Sequence, residues 1–81
     1  MTVVLVRYYA AARDASGVDE ERVSAGNVAE LVTVMTDRHG GSLGRVLTAC
    51  SFLLNGVAVT DTAQLLNGDA QVDVLPPFAG G

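Results

Sequence analysis

The sequence predicts an α+β domain in which a four- to five-stranded mixed sheet packs on one main helix. Three observations lead there. The opening run from Thr2 to Tyr9 is β-branched and aromatic almost throughout; Val28 to His39 carries apolar residues at helical spacing; and short alternating runs set off by Asn55-Gly56 and Asn67-Gly68-Asp69 fill the second half. One helix long enough to cover one sheet face, with strands before and after it, is compact as two layers.

Along the chain, Val4, Val6 and Tyr8 alternate with Val3, Leu5, Arg7 and Tyr9, the period-two signature of a strand with one buried face. Ala10 to Gly17 holds three alanines in succession, then Arg13-Asp14 and Ser16-Gly17, a composition that predicts a loop or a single helical turn where the chain reverses. Val18 to Ser24 alternates weakly around Val18 and Val23. Asp19, Glu20, Glu21 and Arg22 are expected to be solvated there, as on a charged edge strand that resists pairing with strangers. Asn27 followed by Glu30 forms a capping box, so a helix should start at Val28. Val28, Leu31, Val32 and Met35 then share one face, and Gly40 is placed to end the helix near His39 in a left-handed conformation. A short second helix is expected through Leu43, Val46 and Leu47, with Ser42 as its cap. Ser51 to Asn55 and Val57 to Thr60 flank the Asn-Gly pair of a tight hairpin. Asp61 to Leu66 reads as irregular helix and Gln71 to Leu75 as the last strand, ended by Pro76 and Pro77, which lack N–H donors. The division expected is a domain over residues 1–75 and an extended tail over 76–81.

A chain of 81 residues is one small domain with little room for a large cavity. No apolar run approaches the ~20 residues that cross a bilayer, and the segment pattern of an export signal is missing, so a cytoplasmic location is expected. Nine acidic residues against five arginines and no lysine give a net charge of −4, which disfavours nucleic acid and membrane surfaces as partners. One cysteine and one histidine give no metal-ligand set and no believable nucleophile and base pair, so no metal is expected. His39 fits a helix C-terminus, where it complements the dipole. Cys50 beside Phe52, Leu53 and Leu54 fits a small buried apolar side chain. Gly40 to Gly44 lacks the lysine of a phosphate loop, and Glu20-Glu21 fits a solvated edge better than an acid and base pair.

Chemistry concentrates in the end of the chain, Leu75-Pro76-Pro77-Phe78-Ala79-Gly80-Gly81. From Pro76 onward the residues can reach ~20 Å at ~3.3 Å each. Gly80 and Gly81 have no Cβ, so the backbone fits a narrow channel and the last carbonyl is open to attack from either side.

The element order, the opening strand followed by Tyr9-Ala10 and Arg13-Asp14 before Gly17, and the Pro-Pro-Phe-Ala-Gly-Gly ending together resemble the molybdopterin synthase small-subunit family, ubiquitin-like sulfur carriers of molybdenum cofactor and thiamine biosynthesis. The resemblance implies a ubiquitin-like β-grasp fold with no bound cofactor. It implies that an ATP-dependent activating enzyme adenylates the Gly81 carboxylate, which then becomes a thiocarboxylate. It further implies that Pro76, Pro77, Phe78, Ala79 and Gly80 insert with Gly81 into a molybdopterin synthase large subunit, within a heterotetramer, and deliver sulfur to cyclic pyranopterin monophosphate. Leu75, where an aromatic residue is common, and Asp73, a charge on the last strand, depart from the family pattern. Other uses of such a tail are sulfur transfer for thiamine or cysteine synthesis, attachment to target lysines as a protein modifier, and a plain interaction module with an inert end.

Ordering the six tail residues costs on the order of 6 to 12 kcal/mol, whereas burying Phe78 returns about 1.5 to 3 kcal/mol. The globular body must therefore dock as well. Leu5, Arg7 and Tyr9 on the sheet face away from the helix are the expected docking residues, being large where a solvated face favours small polar ones.

Overall fold

The computed structural model describes residues 2–77. Strand β1 (Val3–Tyr8) buries Val4, Val6 and Tyr8 and turns Val3, Leu5 and Arg7 outward, as its alternation requires. It runs into helix α1 (Ala10–Ser16), which Gly17 ends in a left-handed conformation at φ 79°, its N–H donating to Arg13 O at 2.8 Å. The sequence predicted a loop or one turn here. The longer helix buries only Ala12 and Ser16, so it leaves no apolar period to read.

Strand β2 (Glu20–Ser24) pairs antiparallel with β1, Val23 opposite Val4, and forms one edge of the sheet as expected. Helix α2 (Val28–His39) starts and ends where the sequence placed it. The Asn27 side chain accepts from Glu30 N–H at 2.8 Å, while the Glu30 carboxylate reaches back to Gly26 N–H at 2.8 Å. Two further N–H groups at this helix start find carbonyls in the segment that the sequence read as irregular helix: Val28 donates to Gln64 O at 3.1 Å and Ala29 to Thr62 O at 2.9 Å. Residues 61–66 are non-helical for that reason, since their carbonyls face a helix end that needs acceptors. They also pair Leu65 with Asn27 in an isolated antiparallel bridge.

Gly40, at φ 94°, turns the chain directly into helix α3 (Gly41–Leu47) and occupies the cap position. Ser42 therefore lies inside the helix rather than capping it, because the tight junction leaves no room for an extra residue. Strands β3 (Ser51–Leu54) and β4 (Val57–Ala58) form the predicted hairpin, with Asn55 and Gly56 both at positive φ, 50° and 85°. Strand β5 (Gln71–Leu75) closes a five-stranded sheet of order β2-β1-β5-β3-β4.

The helices cover the face carrying Val4, Val6, Val72 and Val74, and with Leu31, Met35 and Leu43 these side chains make a core closed to solvent. At roughly 1.5 to 3 kcal/mol for each such side chain removed from water, this layer is the main favourable term that orders the sheet.

Candidate functional site

Placing the tail depends on β5, which lies between β1 and β3. It runs parallel to β1, with Arg7 beside Asp73 and Tyr8 beside Val74, and antiparallel to β3, with Ser51 beside Leu75. Tyr9 N–H donates to Val74 O at 3.2 Å and extends the ladder by one step. Slipping β5 by one residue would turn Val72 and Val74 out of the core, so its end is fixed. Pro76 and Pro77 then stop the pairing, Pro76 half-buried and Pro77 exposed. The chain thus leaves the body from the middle strand, at one end of the sheet. Phe78, Ala79, Gly80 and Gly81 lie outside the described residues.

Beside this exit, Arg7, Tyr8, Tyr9, Arg13, Asp19 and Glu20 line a hollow of about 290 Å³. Arg7 pairs with Glu20 at 3.5 Å and Arg13 with Asp19 at 3.7 Å. Exposed pairs of this kind are worth about 0 to 1 kcal/mol. They set alternating signs around the exit rather than a cationic patch. Ala10, at φ 48°, makes the sharp corner from β1 into α1 next to it.

The three expected docking residues fall together. Leu5 and Arg7 occupy the outward positions of β1, and Tyr9, 38% exposed, follows in extended conformation. Register adds residues that the sequence reading did not include: Gln71 beside Leu5, and Leu53 beside Asp73. Leu53 was findable, since it alternates with Phe52 and Leu54, both of which pack toward the core. Gln71 Nε2 donates to Asp73 Oδ1 at 3.0 Å and holds that carboxylate on the face. The surface is consequently mixed, with Leu5, Leu53 and Leu75 around a polar centre.

A cluster on the opposite, helix-covered side has a different character. Glu21 is only 14% exposed along its side chain and accepts from Tyr8 Oη at 2.6 Å, from Arg38 Nη1 at 3.1 Å and from His39 Nε2 at 2.5 Å. Its burial pushes the carboxyl up, but the hydrogen bonds from Tyr8, His39 and Arg38 together outweigh that and hold it below the ordinary glutamate value. Burial first, and then the Glu21 carboxylate, push the Tyr8 phenol far above its ordinary value. The rings of Tyr8 and His39 meet edge to face at 5.9 Å. This cluster ties β1, β2 and the end of α2 together. It corrects two expectations: Glu21 is not a solvated edge residue, and His39 is set against a carboxylate rather than only the helix dipole.

Cys50 is half-buried, donates to Val46 O at 3.1 Å, and has its thiol pushed up by burial, which favours the unreactive protonated form. Among the described residues no three His, Cys, Asp or Glu side chains gather as metal ligands, and no helix is long and apolar enough to cross a membrane.

Comparison with known proteins agrees with this architecture. The model of the ThiS family matches residues 6–81. No curated protein matches in sequence. Among solved structures, a putative molybdopterin converting factor subunit 1 from Pyrococcus furiosus is similar with TM-score 0.80 and 24% identity over 96% of this chain and 100% of that one. Small archaeal modifier protein 1 from Methanosarcina acetivorans is similar with TM-score 0.88 and 24% identity over 100% and 98%. A complex of subunits 1 and 2 of molybdopterin-converting factor from Helicobacter pylori contains a similar chain, TM-score 0.76 and 21% identity over 99% and 100%. These likenesses show the ubiquitin-like β-grasp fold expected from the sequence. With the family match running from β1 through the last glycine, the chain belongs to the ThiS family.

Proposed function

We propose that the chain is a sulfur carrier whose reactive atom is the carbonyl carbon of Gly81. One observation carries this: the family match continues through the Gly-Gly end, and the described chain leaves the body at Pro76 from the central strand, at one end of the sheet. A carboxylate is a poor electrophile because oxide would have to leave. In the proposed sequence, a Gly81 carboxylate oxygen attacks the α-phosphorus of ATP on an activating enzyme and pyrophosphate leaves. Sulfide, or an equivalent sulfur nucleophile, then attacks the carbonyl carbon; the bond to AMP breaks and a thiocarboxylate remains. The acid, base and substrate-binding groups come from the partners.

The customer we favour is molybdopterin formation, with sulfur passed to cyclic pyranopterin monophosphate in a molybdopterin synthase large subunit. The similarity to chains named molybdopterin converting factor subunit 1, one of them in complex with subunit 2, supports it. The tail Pro76, Pro77, Phe78, Ala79, Gly80 and Gly81 would enter that partner, while Leu5, Arg7 and Tyr9 dock the body. Sulfur transfer for thiamine or cysteine synthesis uses the same tail chemistry with another acceptor.

Likeness to small archaeal modifier protein 1 favours a second reading, in which Gly81 forms an isopeptide bond with a target lysine. Having no lysine, the chain cannot build side-chain-linked chains of itself.

Deletion of Gly81 separates tail chemistry from folding. Incubated with its activating enzyme, ATP and sulfide, the full chain should drive pyrophosphate release and accept sulfur. The variant lacking Gly81 should do neither while melting at an unchanged temperature. A deletion variant that still accepts sulfur would contradict the scheme.

A further inference from the structure

The sheet has two unlike edges. At the β2 edge, charged residues crowd the strand and Glu21 and Arg38 bind it to α2. The other edge is β4, two residues long, and nothing among the described residues pairs with its outer side. Val59 N–H donates to Phe52 O at 2.9 Å. Antiparallel pairing alternates, so the N–H and C=O of Ala58 point away from β3, toward the open edge.

Next to that edge is a hollow of about 310 Å³ lined by Leu54, Val57, Val59 and Gln64. Val57 is 70% exposed and Leu65, in the segment that follows, 68%. Leu54 and Val59 pack toward the core on the helix side of the sheet. The hollow therefore lies on the side opposite to Leu5, Arg7 and Leu53, so the two surfaces can be occupied at once. Charge is also divided. Residues 46–77 contain no cation, and of their three carboxylates Asp73 lies beside Arg7 on the opposite face, which leaves Asp61 and Asp69 toward the β3–β4 hairpin. Asp61 follows directly on the β4 side of the hairpin, and Asp69 lies in the turn before Gln71, whose carbonyl accepts from Asn55 N–H at 2.8 Å.

We propose that the free edge of β4 receives one extended segment of a partner protein, apolar at its centre and basic on its flanks, which adds as a further strand and seats an apolar side chain in the hollow beside Val57. Backbone hydrogen bonds to Ala58 supply register, the hollow supplies selectivity for an apolar residue, and Asp61 and Asp69 select the flanking charges. This surface is independent of the tail chemistry, and it lets a second protein hold the carrier while its end is in use.

The test uses the full chain and a synthetic extended peptide with valines at its centre and lysines on both flanks, against a control with glutamate in place of lysine. Amide chemical-shift mapping with the valine-lysine peptide at about 1 mM should move signals of Leu54, Val57, Ala58, Val59 and Gln64, with the glutamate peptide binding about tenfold more weakly. Ala58→Pro removes the outward N–H and should abolish the shifts while the rest of the spectrum is retained. Should Ala58→Pro not fold, Val57→Lys puts a cation at the hollow and should weaken the valine-lysine peptide by a similar factor. Shifts confined to the Leu5, Arg7 and Leu53 face, equal binding of both peptides, or no shifts at β4 would each overturn the proposal. Self-association through β4 in the absence of peptide would do so as well.

Discussion

Glu21 shows how a single residue can hold together elements that its sequence context does not connect. Tyr8, Arg38 and His39 lie 13, 17 and 18 positions away, so no local pattern announced the cluster. Glu21→Ala leaves the Tyr8 hydroxyl and the His39 ring without their acceptor and should destabilise the domain by about 1 to 3 kcal/mol in urea unfolding. The carboxyl is held below its ordinary value in the folded state, so its contribution is present above the unfolded pKa and is lost as pH falls through the lowered one. Wild type and Glu21→Ala should therefore converge in stability in acid and differ near neutrality. A constant difference down to acid pH would show that the hydrogen bonds do not favour the ionised form. Gly44 offers a second test. A Cβ there would lie 2.9 Å from Thr36 Cγ2, where α3 crosses α2. Gly44→Ala should cost about 1 to 3 kcal/mol, and Thr36→Ala should recover most of that, as measured by a double-mutant cycle.

Elements whose cause is local were legible in the sequence, and those whose cause is tertiary were not. Helix α2 carries its own cap, apolar face and terminating glycine; the hairpin carries Asn-Gly; β1 and β5 carry period-two alternation. Helix α1 has alanines in place of an apolar stripe, and residues 61–66 are shaped by the helix end that they satisfy. Because the Glu30 N–H that Asn27 caps is exposed and water can replace the acceptor, Asn27→Ala should cost only about 0.5 to 1 kcal/mol in thermal or urea unfolding, toward the low end for a lost cap. The outward side of β1 gives a binding prediction. Arg7→Glu combined with Tyr9→Ala should weaken association with the proposed large-subunit partner while leaving the melting temperature nearly unchanged. Unaltered affinity in a titration would refute the assignment of that face.

At the scale of the whole molecule, the proposed carrier function divides labour between a body that positions and an end that reacts. The body has a closed core, no three His, Cys, Asp or Glu side chains gathered as metal ligands among its described residues, and a central strand aimed out of the sheet at Pro76. The Gly-Gly end was legible because its chemistry is written in consecutive residues. The residues that share a face with Leu5, Arg7 and Tyr9 were legible only in part, because register across β1, β5 and β3 brings together residues distant in sequence. The most direct measurement is the intact mass of the protein isolated from its native cell under sulfur-replete conditions, with the C-terminal peptide mapped. A sulfur carrier should show a fraction heavier by about 16 Da, oxygen replaced by sulfur at Gly81. Finding only free carboxylate, or only adducts on lysines of other proteins, would contradict the carrier function.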